Sequence, residues 1–417
     1  MKSGARIQLM IMMFLQFVVW GAWYGQLSKY LTAIGFNGEQ VGNVYSVFSI
    51  AMIFSPFIMG MLADRFFSAQ KVLGTLNLVG AAILFILTQT TSYSAFLPLM
   101  LVYCITFAPC IALTSSISMR QMSAPEKDFP IIRVMGTIAW IAVTNAIGFQ
   151  GWGDKVNIFY LSIASSIAMG IYSFTLPDTP PLSKGPVNIG HIVGKDAFVL
   201  FKDRSFVIFF IASVLICIPL SFYYTWANPS ITDAYKSAFI AANPGKALPD
   251  TFLVENKMSL GQVSEVIFML LIPFAYRRFG IKWILILALA SWIARFLFFG
   301  YGNAGSGEWM LYAGILLHGV CFDFFFVSGM IYTDMKAGEK IKAQAQGLIS
   351  LATYGLGMFI GSIIGGKVAK MYTTGEGATA VTDWTKVWLV PAGIAVAVLL
   401  LFILFFRDNT RNQVAKH

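Results

Sequence analysis

The stretch 258–274 places two polar side chains inside an apolar run that is long enough to cross most of a bilayer. Gln262 and Glu265 are three residues apart, so they share one face of a helix. An ionisable group inside a membrane span is costly, and it normally faces a polar cavity and serves solute or proton movement. The alternative is that Glu265 lies among lipid headgroups, close to Glu255 and Lys257. Its depth of one to two turns inside the run favours the first interpretation.

Three further charged residues fall within apolar runs, namely Arg133, Arg295 and Asp323. Arg133, Thr137 and Trp140 follow one another at i, i+4 and i+7, which is one stripe of a helix. An arginine offers five donors and keeps its charge, so Arg133 needs an acidic partner or a polar substrate nearby. Arg295 could pair with either of the two membrane-embedded carboxylates, or it could line the helix bundle. Together these residues predict a group of polar side chains that binds a small polar solute.

The composition places most of the chain in a membrane. Of the 417 residues, 57% are hydrophobic and 12% are charged, whereas soluble domains carry about 25% charged residues. The net charge of +10 is spread over short segments between apolar runs, so positive-inside topology explains it better than nucleic-acid binding. The four cysteines lie in apolar runs without metal-ligand spacing and are interpreted as small core residues. The sequence has no phosphate-binding loop, metal cluster or nucleophile elbow, so we expect neither an enzyme nor a metal or other cofactor.

Twelve apolar stretches approach the roughly 20 residues that a membrane-spanning helix needs, which predicts an all-α membrane protein. The first stretch is too long for a signal peptide and lacks a small-residue cleavage site. In the eleventh, Gly357, Gly361 and Gly365 repeat every four residues, which predicts close packing against another helix. The predicted limits of the stretches are 7–31, 41–63, 72–90, 95–118, 131–150, 157–176, 206–227, 258–276, 282–301, 309–333, 343–371 and 385–406.

The long interruptions between these stretches are 177–205, 228–257 and 372–384. The first begins with a Pro-rich, helix-breaking run and divides six stretches from six. The second is predicted to be a periplasmic loop without identifiable chemistry. The predicted organisation is a six-helix bundle over 1–176, a cytoplasmic linker over 177–205, a second six-helix bundle over 206–406 and a cytoplasmic tail over 407–417.

The distribution of Lys and Arg predicts the orientation in the membrane. If the N-terminus is cytoplasmic, 19 of the 29 Lys and Arg residues fall in cytoplasmic segments and 8 in periplasmic ones, whereas Asp and Glu divide almost evenly. A bias in basic residues without one in acidic residues is what the positive-inside rule predicts. Twelve spans then place both termini in the cytoplasm, and we expect a multi-pass protein of the cell inner membrane.

Two short basic loops occupy equivalent places in the two halves. The loop after the second stretch reads GMLADRF over 60–66, and the loop after the eighth reads RRFG over 277–280. The first loop resembles the signature of the major facilitator superfamily, whose fold has two pseudo-symmetric six-helix bundles. This resemblance implies a conformational role for Gly60, Asp64 and Arg65, whereas an ordinary basic turn is the alternative.

A closer resemblance is carried by six stretches distributed over essentially the whole chain. They are FLQFVVWGAW (14–23), DFPIIRVMGTI (128–138), QVSE (262–265), CFDFF (321–325), AQG (345–347) and TDW (382–384). In order and spacing they are similar to the nucleoside:proton symporter family within the major facilitator superfamily. Each stretch alone is a weak signal, but their combination is specific.

The resemblance also implies where the binding and coupling groups lie. A nucleoside presents a ribose diol and a base edge, which suit carboxylate acceptors, an amide such as Gln262, and an aromatic face such as Phe322 or Trp140. These aromatic side chains could instead pack between helices or face lipid. The residues that match the family's binding and coupling positions are Arg133, Thr137, Gln262, Glu265, Phe322 and Asp323.

Four positions depart from the family's pattern. Ser221 and Tyr224 stand in the seventh stretch, where the family carries amide side chains that meet the substrate. His318 stands where better-known members have a tyrosine, and Trp140 replaces a phenylalanine. These departures concern the base preference more than the substrate class. His318 titrates near neutrality and could join the proton pathway, or it could be a neutral histidine hydrogen-bonded within the bundle.

The predicted function is a proton-driven importer of purine or pyrimidine nucleosides that works by alternating access, with two bundles rocking about a central site. A proton arriving on Glu265 or Asp323 would neutralise a costly buried charge, and Arg133 and His318 would take part in the coupling. We expect a monomer in the lipid bilayer, with the proton as coupling ion and no nucleic-acid partner. A symporter of the same fold for a sugar or another polar solute is the alternative, and a non-transporting sensor or membrane-embedded enzyme is a further one.

Overall fold

The computed structural model describes residues 3–63, 66–122, 125–181, 195–375 and 380–407. Over these residues the chain is helical apart from short connections and one small hairpin, as expected where a bilayer offers no water to satisfy backbone polar groups. Its contacts divide it into two compact units, Met1–Asn188 and Ile189–His417, called unit one and unit two below. The predicted limits of the bundles and the linker remain predictions.

The loop with a predicted conformational role is only partly among the described residues. Asp64 and Arg65 lie outside the described residues. Gly60 lies near the end of a helix that ends at Leu62. The role of all three residues therefore remains a prediction.

Unit one contains seven helices among its described residues. The predicted first span, 7–31, lies within one candidate span, Gly4–Ala33, in which two helices are separated by a turn at Tyr24–Gln26. The helices are α1 (Ser3–Trp23), α2 (Leu27–Ala33), α3 (Gly38–Leu62), α4 (Ala69–Thr88), α5 (Tyr93–Arg120), α6 (Pro125–Gln150) and α7 (Asn157–Ser173).

A tyrosine on α3 bridges the break between α1 and α2. The Tyr45 hydroxyl donates to the backbone oxygen of Tyr24 at 2.7 Å and accepts from the backbone N–H of Ser28 at 3.2 Å. The break would otherwise leave these backbone groups without partners in an apolar environment. The sequence pattern misses the break because the partner lies on another helix.

Close helix contacts in unit one depend on small residues. A Cβ atom on Gly21 of α1 would lie 2.8 Å from Val143 and 3.3 Å from Trp140, both on α6. A Cβ atom on Gly74 of α4 would lie 2.9 Å from the backbone oxygen of Gly170 on α7. These glycines allow α1 to pack on α6 and α4 to pack on α7, and the first contact places Trp140 of the candidate site against α1.

Unit two begins its described part with a short 3-10 helix, Lys195–Lys202, and continues with seven longer helices. Two π-helical segments, Asp323–Val327 and Leu351–Gly357, continue neighbouring helices without a loop. The helices and strands are α8 (Arg204–Ala242), α9 (Val254–Phe279), α10 (Ile281–Tyr301), α11 (Glu308–Phe322), α12 (Ser328–Ser350), α13 (Met358–Met371), β1 (Thr373–Thr374), β2 (Val381–Thr382) and α14 (Trp384–Phe405). The two strands pair antiparallel, with Thr373 opposite Thr382.

The helices account for the twelve predicted membrane spans. Within the described residues, ten helical stretches are long and apolar enough to cross a membrane. α3, with 25 residues, and α7, with 17, supply the remaining two. The predicted all-α class is confirmed.

The predicted loop 228–257 is wrong over its first half, because α8, which is 39 residues long in all, continues as far as Ala242. Asn228 precedes Pro229, and the residue before a proline is normally biased away from helix. Here the Asn228 amide donates to Glu255 Oε1 at 3.2 Å, and Thr232 Oγ1 donates to Asn228 Oδ1 at 3.2 Å. These contacts hold α8 helical through a sequence that usually ends a helix.

The glycine stripe of the eleventh predicted span packs against α8. A Cβ atom on Gly357 would lie 2.5 Å from Cys217 Cβ, and one on Gly361 would lie 2.7 Å from Ser221 Cβ. At Gly365 the nearest atom would be the indole nitrogen of Trp226, at 3.3 Å. The predicted close helix packing is confirmed.

Candidate functional site

In unit one, α6 presents its predicted stripe toward aromatic residues of α1. The exposed Arg133 holds its guanidinium 4.5 Å above the centre of the Phe17 ring. One and two turns further along, Thr137 and Trp140 are half-buried. Trp140 meets Trp20 edge to face, with ring centres 5.5 Å apart. The structure therefore brings the three predicted residues onto one face, together with two aromatic side chains.

Phe17 and Trp20 were missed as site residues by sequence reasoning, although both lie within one of the stretches that carry the family resemblance. They are three residues apart, so they share a face of α1, and their ring centres are 5.7 Å apart. That spacing is the sequence feature from which this aromatic pair could have been predicted. The resulting face combines a cation with flat aromatic surfaces, which suits the π-face and polar edge of a heterocycle.

In unit two, Ser264 clamps α9 to α11 and thereby positions the neighbouring Glu265. The Ser264 hydroxyl donates to the backbone oxygen of Leu316 at 2.7 Å and accepts from the backbone N–H of Gly319 at 2.8 Å. A Cβ atom on Gly319 would lie 2.5 Å from this hydroxyl, so the close approach needs glycine there. The two backbone groups flank His318, and the clamp fixes the separation of Glu265 and His318.

Glu265, His318 and Arg295 form a continuous line of polar contacts on α9, α11 and α10. Glu265 Oε1 lies 2.7 Å from His318 Nε2. The carboxylate oxygen does not lie along the direction of a ring N–H bond, so this contact is close but is not a well-formed hydrogen bond. On the other side of the ring, Arg295 Nη1 lies 2.8 Å from His318 Nδ1, and Arg295 Nε donates to the backbone oxygen of Gly314 at 2.9 Å. Arg295 and His318 are fully buried, whereas 17% of the Glu265 side chain is exposed.

Tyr223 on α8 completes this cluster and was missed by sequence reasoning. Its ring lies 3.6 Å from the Arg295 guanidinium carbon and 5.0 Å from the His318 ring centre. No sequence pattern indicated it, because the partner cation lies 72 positions further along the chain.

The predicted site residues of α8 differ in their surroundings. Ser221 is buried, and its hydroxyl lies 2.9 Å from that of Ser362 on α13. This contact joins α8 to α13, and the substrate role of Ser221 remains a prediction. Tyr224 is half-buried, with its ring centre 5.4 Å from that of Tyr223.

Asp323 begins the π-helical segment that follows α11. It is 1% exposed, and neither carboxylate oxygen has a well-formed hydrogen bond among the described residues, although the backbone of Met269 on α9 faces it. Phe322 is half-buried, with its ring centre 5.6 Å from that of His318. Gln262 is half-buried one turn before Glu265. π-helical turns occur frequently at functional sites, because they redirect side chains out of the regular helical pattern.

The comparison with protein families identifies the chain. A family model described as Nucleoside H+ symporter matches residues 3–411. The chain belongs to the nucleoside H+ symporter family. The predicted family is thereby confirmed, and so is the expectation of a transporter rather than an enzyme.

Curated relatives of this symporter match it along nearly its whole length. YegT from Escherichia coli strain K12 is 40% identical, over 100% of this chain and 96% of YegT. The nucleoside permease NupG of the same strain is 33% identical, over 99% of each chain. The xanthosine permease of that strain is 34% identical, over 99% of this chain and 98% of the permease.

Solved structures confirm the predicted fold. A crystal structure of the nucleoside transporter NupG matches the symporter with a TM-score of 0.85 at 32% identity, covering 97% of this chain and 100% of NupG. A peptide transporter of the POT family matches with a TM-score of 0.71 at 14% identity, a likeness of fold alone. The symporter has the major facilitator fold.

The described part of the symporter offers no ligand set for a metal ion. No group of three or more His, Cys, Asp or Glu side chains there is close enough to hold one. The four cysteines are buried as free thiols. What the described residues do offer is two carboxylates of unequal exposure, a buried cation and aromatic faces, which can bind a neutral polar solute and exchange a proton.

Proposed function

We propose that this symporter imports nucleosides together with protons across the inner membrane by alternating access. The observation that carries the proposal is the pair of carboxylates in unit two. Glu265 is reachable and paired with His318, whereas Asp323 is buried beside the same helices. A chain of this family that places two such carboxylates within membrane-spanning helices has groups able to bind a ribose diol and to take up a proton.

The proposed substrate contacts follow from the chemistry of a nucleoside. The ribose hydroxyls donate to the Glu265 carboxylate, and the base edge bonds to the Gln262 amide. The base stacks on an aromatic face, with Phe322 or Trp140 as the proposed partner. Arg133 donates to acceptors on the nucleoside. Thr137 and Tyr224 supply further hydroxyl groups to the proposed set.

Coupling to protons has a simple electrostatic basis. An ionised carboxylate without strong hydrogen bonds is costly to hold in an apolar environment. A proton that enters with the nucleoside removes this cost, and its release inside restores the charge. Glu265 and Asp323 are the proposed coupling groups, and both termini are proposed to be cytoplasmic, with the protein acting as a monomer.

Uptake into proteoliposomes tests the proposal. Labelled uridine and adenosine would be supplied with and without an inward proton gradient, with protein-free liposomes as the control. We expect accumulation that collapses when a protonophore is added. If neither nucleoside is accumulated while a labelled sugar is, the proposed substrate class is wrong although the fold stands.

A further inference from the structure

Arg295 is a permanent cation buried in unit two. A guanidinium does not lose its proton in a protein, so its charge must be compensated where it lies. Its hydrogen bonds go to neutral acceptors, the Gly314 backbone oxygen and His318 Nδ1, and the Tyr223 ring faces it at 3.6 Å. The negative charge that balances Arg295 is therefore the Glu265 carboxylate, which lies on the far side of the His318 ring.

The contact with Arg295 fixes the proton on His318. Arginine can only donate, so Nδ1 must accept and cannot carry a proton. A neutral imidazole then has its proton on Nε2, the nitrogen that lies 2.7 Å from Glu265 Oε1. A second proton on Nδ1 would point at a guanidinium nitrogen 2.8 Å away. The ring is therefore a neutral connector that accepts from Arg295 through Nδ1 and holds Nε2 against the Glu265 carboxylate.

We propose that Arg295 is a positioning residue which, acting through neutral His318, keeps Glu265 ionised and oriented as the acceptor for the substrate. The coupling proton is not carried by the imidazole. This proposal rests on the proposed transport function and deepens it. Its physical basis is charge balance, because protonation of Glu265 would leave the buried Arg295 without an opposite charge.

Every helix packed around the ring contributes to this balance. Glu265 comes from α9, Arg295 from α10 and Tyr223 from α8, while Cys321 and Asp323 follow His318 on its own element. Tyr223 and Cys321 are buried neutral groups, and the tyrosine ring adds a cation–π contact to the arginine. Asp323 has no comparable link to a cation among the described residues. The connection through His318 thus distinguishes the two carboxylates.

Three substitutions test whether His318 is a neutral connector or a proton carrier. His318→Gln keeps an acceptor for Arg295 and a donor for Glu265 in one neutral side chain that cannot titrate. His318→Leu removes both polar contacts, and Arg295→Met removes the cation while keeping most of the side-chain length. The matched control is Lys246→Met, which removes an exposed cation bonded to Asn243 Oδ1.

The first readout is uridine affinity as a function of pH in detergent solution. In Arg295→Met and His318→Leu, we expect affinity to fall about tenfold or more at mildly acidic pH and to recover toward the wild-type value at alkaline pH, where Glu265 ionises without help. His318→Gln and Lys246→Met should stay within about threefold of wild type throughout. A loss in Arg295→Met that does not depend on pH would reduce Arg295 to a structural role and overturn the proposal.

The second readout does not need a transported substrate. Infrared difference spectra of the substrate-free protein report the protonated carboxyl band of Glu265, which is assigned by its absence in Glu265→Gln. We expect this band to appear at higher pH in Arg295→Met and His318→Leu than in wild type or His318→Gln. An unchanged titration in both variants would refute the proposal. If uridine binds to none of the proteins but the band shifts as expected, the substrate class is wrong and the role of Arg295 stands.

The alternative in which His318 carries the proton has its own signature. His318→Gln would then lose proton-driven accumulation as completely as His318→Leu. We expect His318→Gln to accumulate uridine against its gradient, and failure to do so in a folded protein would overturn the proposal.

Discussion

Arg133 in unit one and Arg295 in unit two are both arginines within membrane-spanning helices, yet they have opposite surroundings. Arg133 is exposed and lies over the Phe17 ring. Arg295 is fully buried, and its guanidinium bonds to His318 and Gly314. The sequence marks both as charges inside apolar runs and says nothing of this difference.

The difference teaches what each arginine can do. An exposed guanidinium retains access to a solute and can donate to it directly. A fully buried one cannot reach a solute, so it acts only through the groups that it touches. Four predictions test this contrast, beginning with the carboxylates that the buried arginine serves.

The largest effect is expected at the two carboxylates of unit two. Glu265→Gln and Asp323→Asn should each abolish accumulation of uridine against a gradient. The first removes the charge that accepts from the ribose and balances Arg295, and the second replaces a carboxylate by an amide that cannot bind and release the coupling proton. Accumulation in proteoliposomes under an inward proton gradient measures this. Wild-type accumulation by both variants would remove these residues from the mechanism.

The two arginines should differ in their contribution to folding stability. Arg295→Met should lower the free energy of unfolding by about 3–5 kcal/mol, because it leaves the buried His318 Nδ1 and the Gly314 backbone oxygen without a donor. Arg133→Met should change it by about 1 kcal/mol or less, as expected for an exposed charge. Thermal unfolding in detergent measures both, and equal losses would mean that burial does not separate the two arginines.

Much of the architecture could be predicted from the sequence, because membrane helices depend on long apolar runs that are visible in one dimension. The twelve spans were found in this way. The break at Tyr24–Gln26 was missed, because the group that stabilises it is the Tyr45 hydroxyl on another helix. The extension of α8 was missed for the same reason, since Asn228 depends on Glu255.

The candidate site was predictable only as a set of residue types. Helical spacing placed Arg133 and Trp140 on one face, and apolar context singled out Glu265 and Arg295. No sequence pattern could show that His318 lies between Glu265 and Arg295. These three residues stand on three different helices, whose positions are set by tertiary packing such as the Ser264 clamp. Tyr223 was missed for the same reason.

The third prediction concerns Arg133 and substrate binding. Arg133→Met should weaken uridine binding about tenfold or more, since a charge-assisted hydrogen bond contributes about 1.5–3 kcal/mol. Arg133→Lys should recover only part of this, because an ammonium cannot reproduce the planar fork of donors. Isothermal titration at several pH values measures the affinity. A loss that disappears at alkaline pH would assign Arg133 the behaviour proposed for Arg295 and would remove the contrast.

The smallest effect is expected at the edge of unit two, where Asp203 caps the N-terminus of α8. Its carboxylate accepts from the backbone N–H of Ser205 at 2.7 Å and forms an ion pair with Lys336. Burial alone would raise the pKa of this carboxyl, but the bonds from Lys336 and Ser205 outweigh it and leave the pKa below its ordinary value. A lowered pKa in the folded state adds stability above the unfolded pKa of about 3.9. That stability is lost as the pH falls through the folded pKa.

Asp203→Asn should therefore lower the unfolding temperature slightly at neutral pH and should have less effect as the pH falls below about 4. The loss should stay near 1 kcal/mol, because an asparagine still caps the helix and solvent screens the partly exposed pair. Lys336→Met removes the partner and should reduce the same pH dependence. If Asp203→Asn lowered the free energy of unfolding as much as Arg295→Met, a partly exposed ion pair would contribute as much as a buried cation. The contrast between exposed and buried charges would then be wrong.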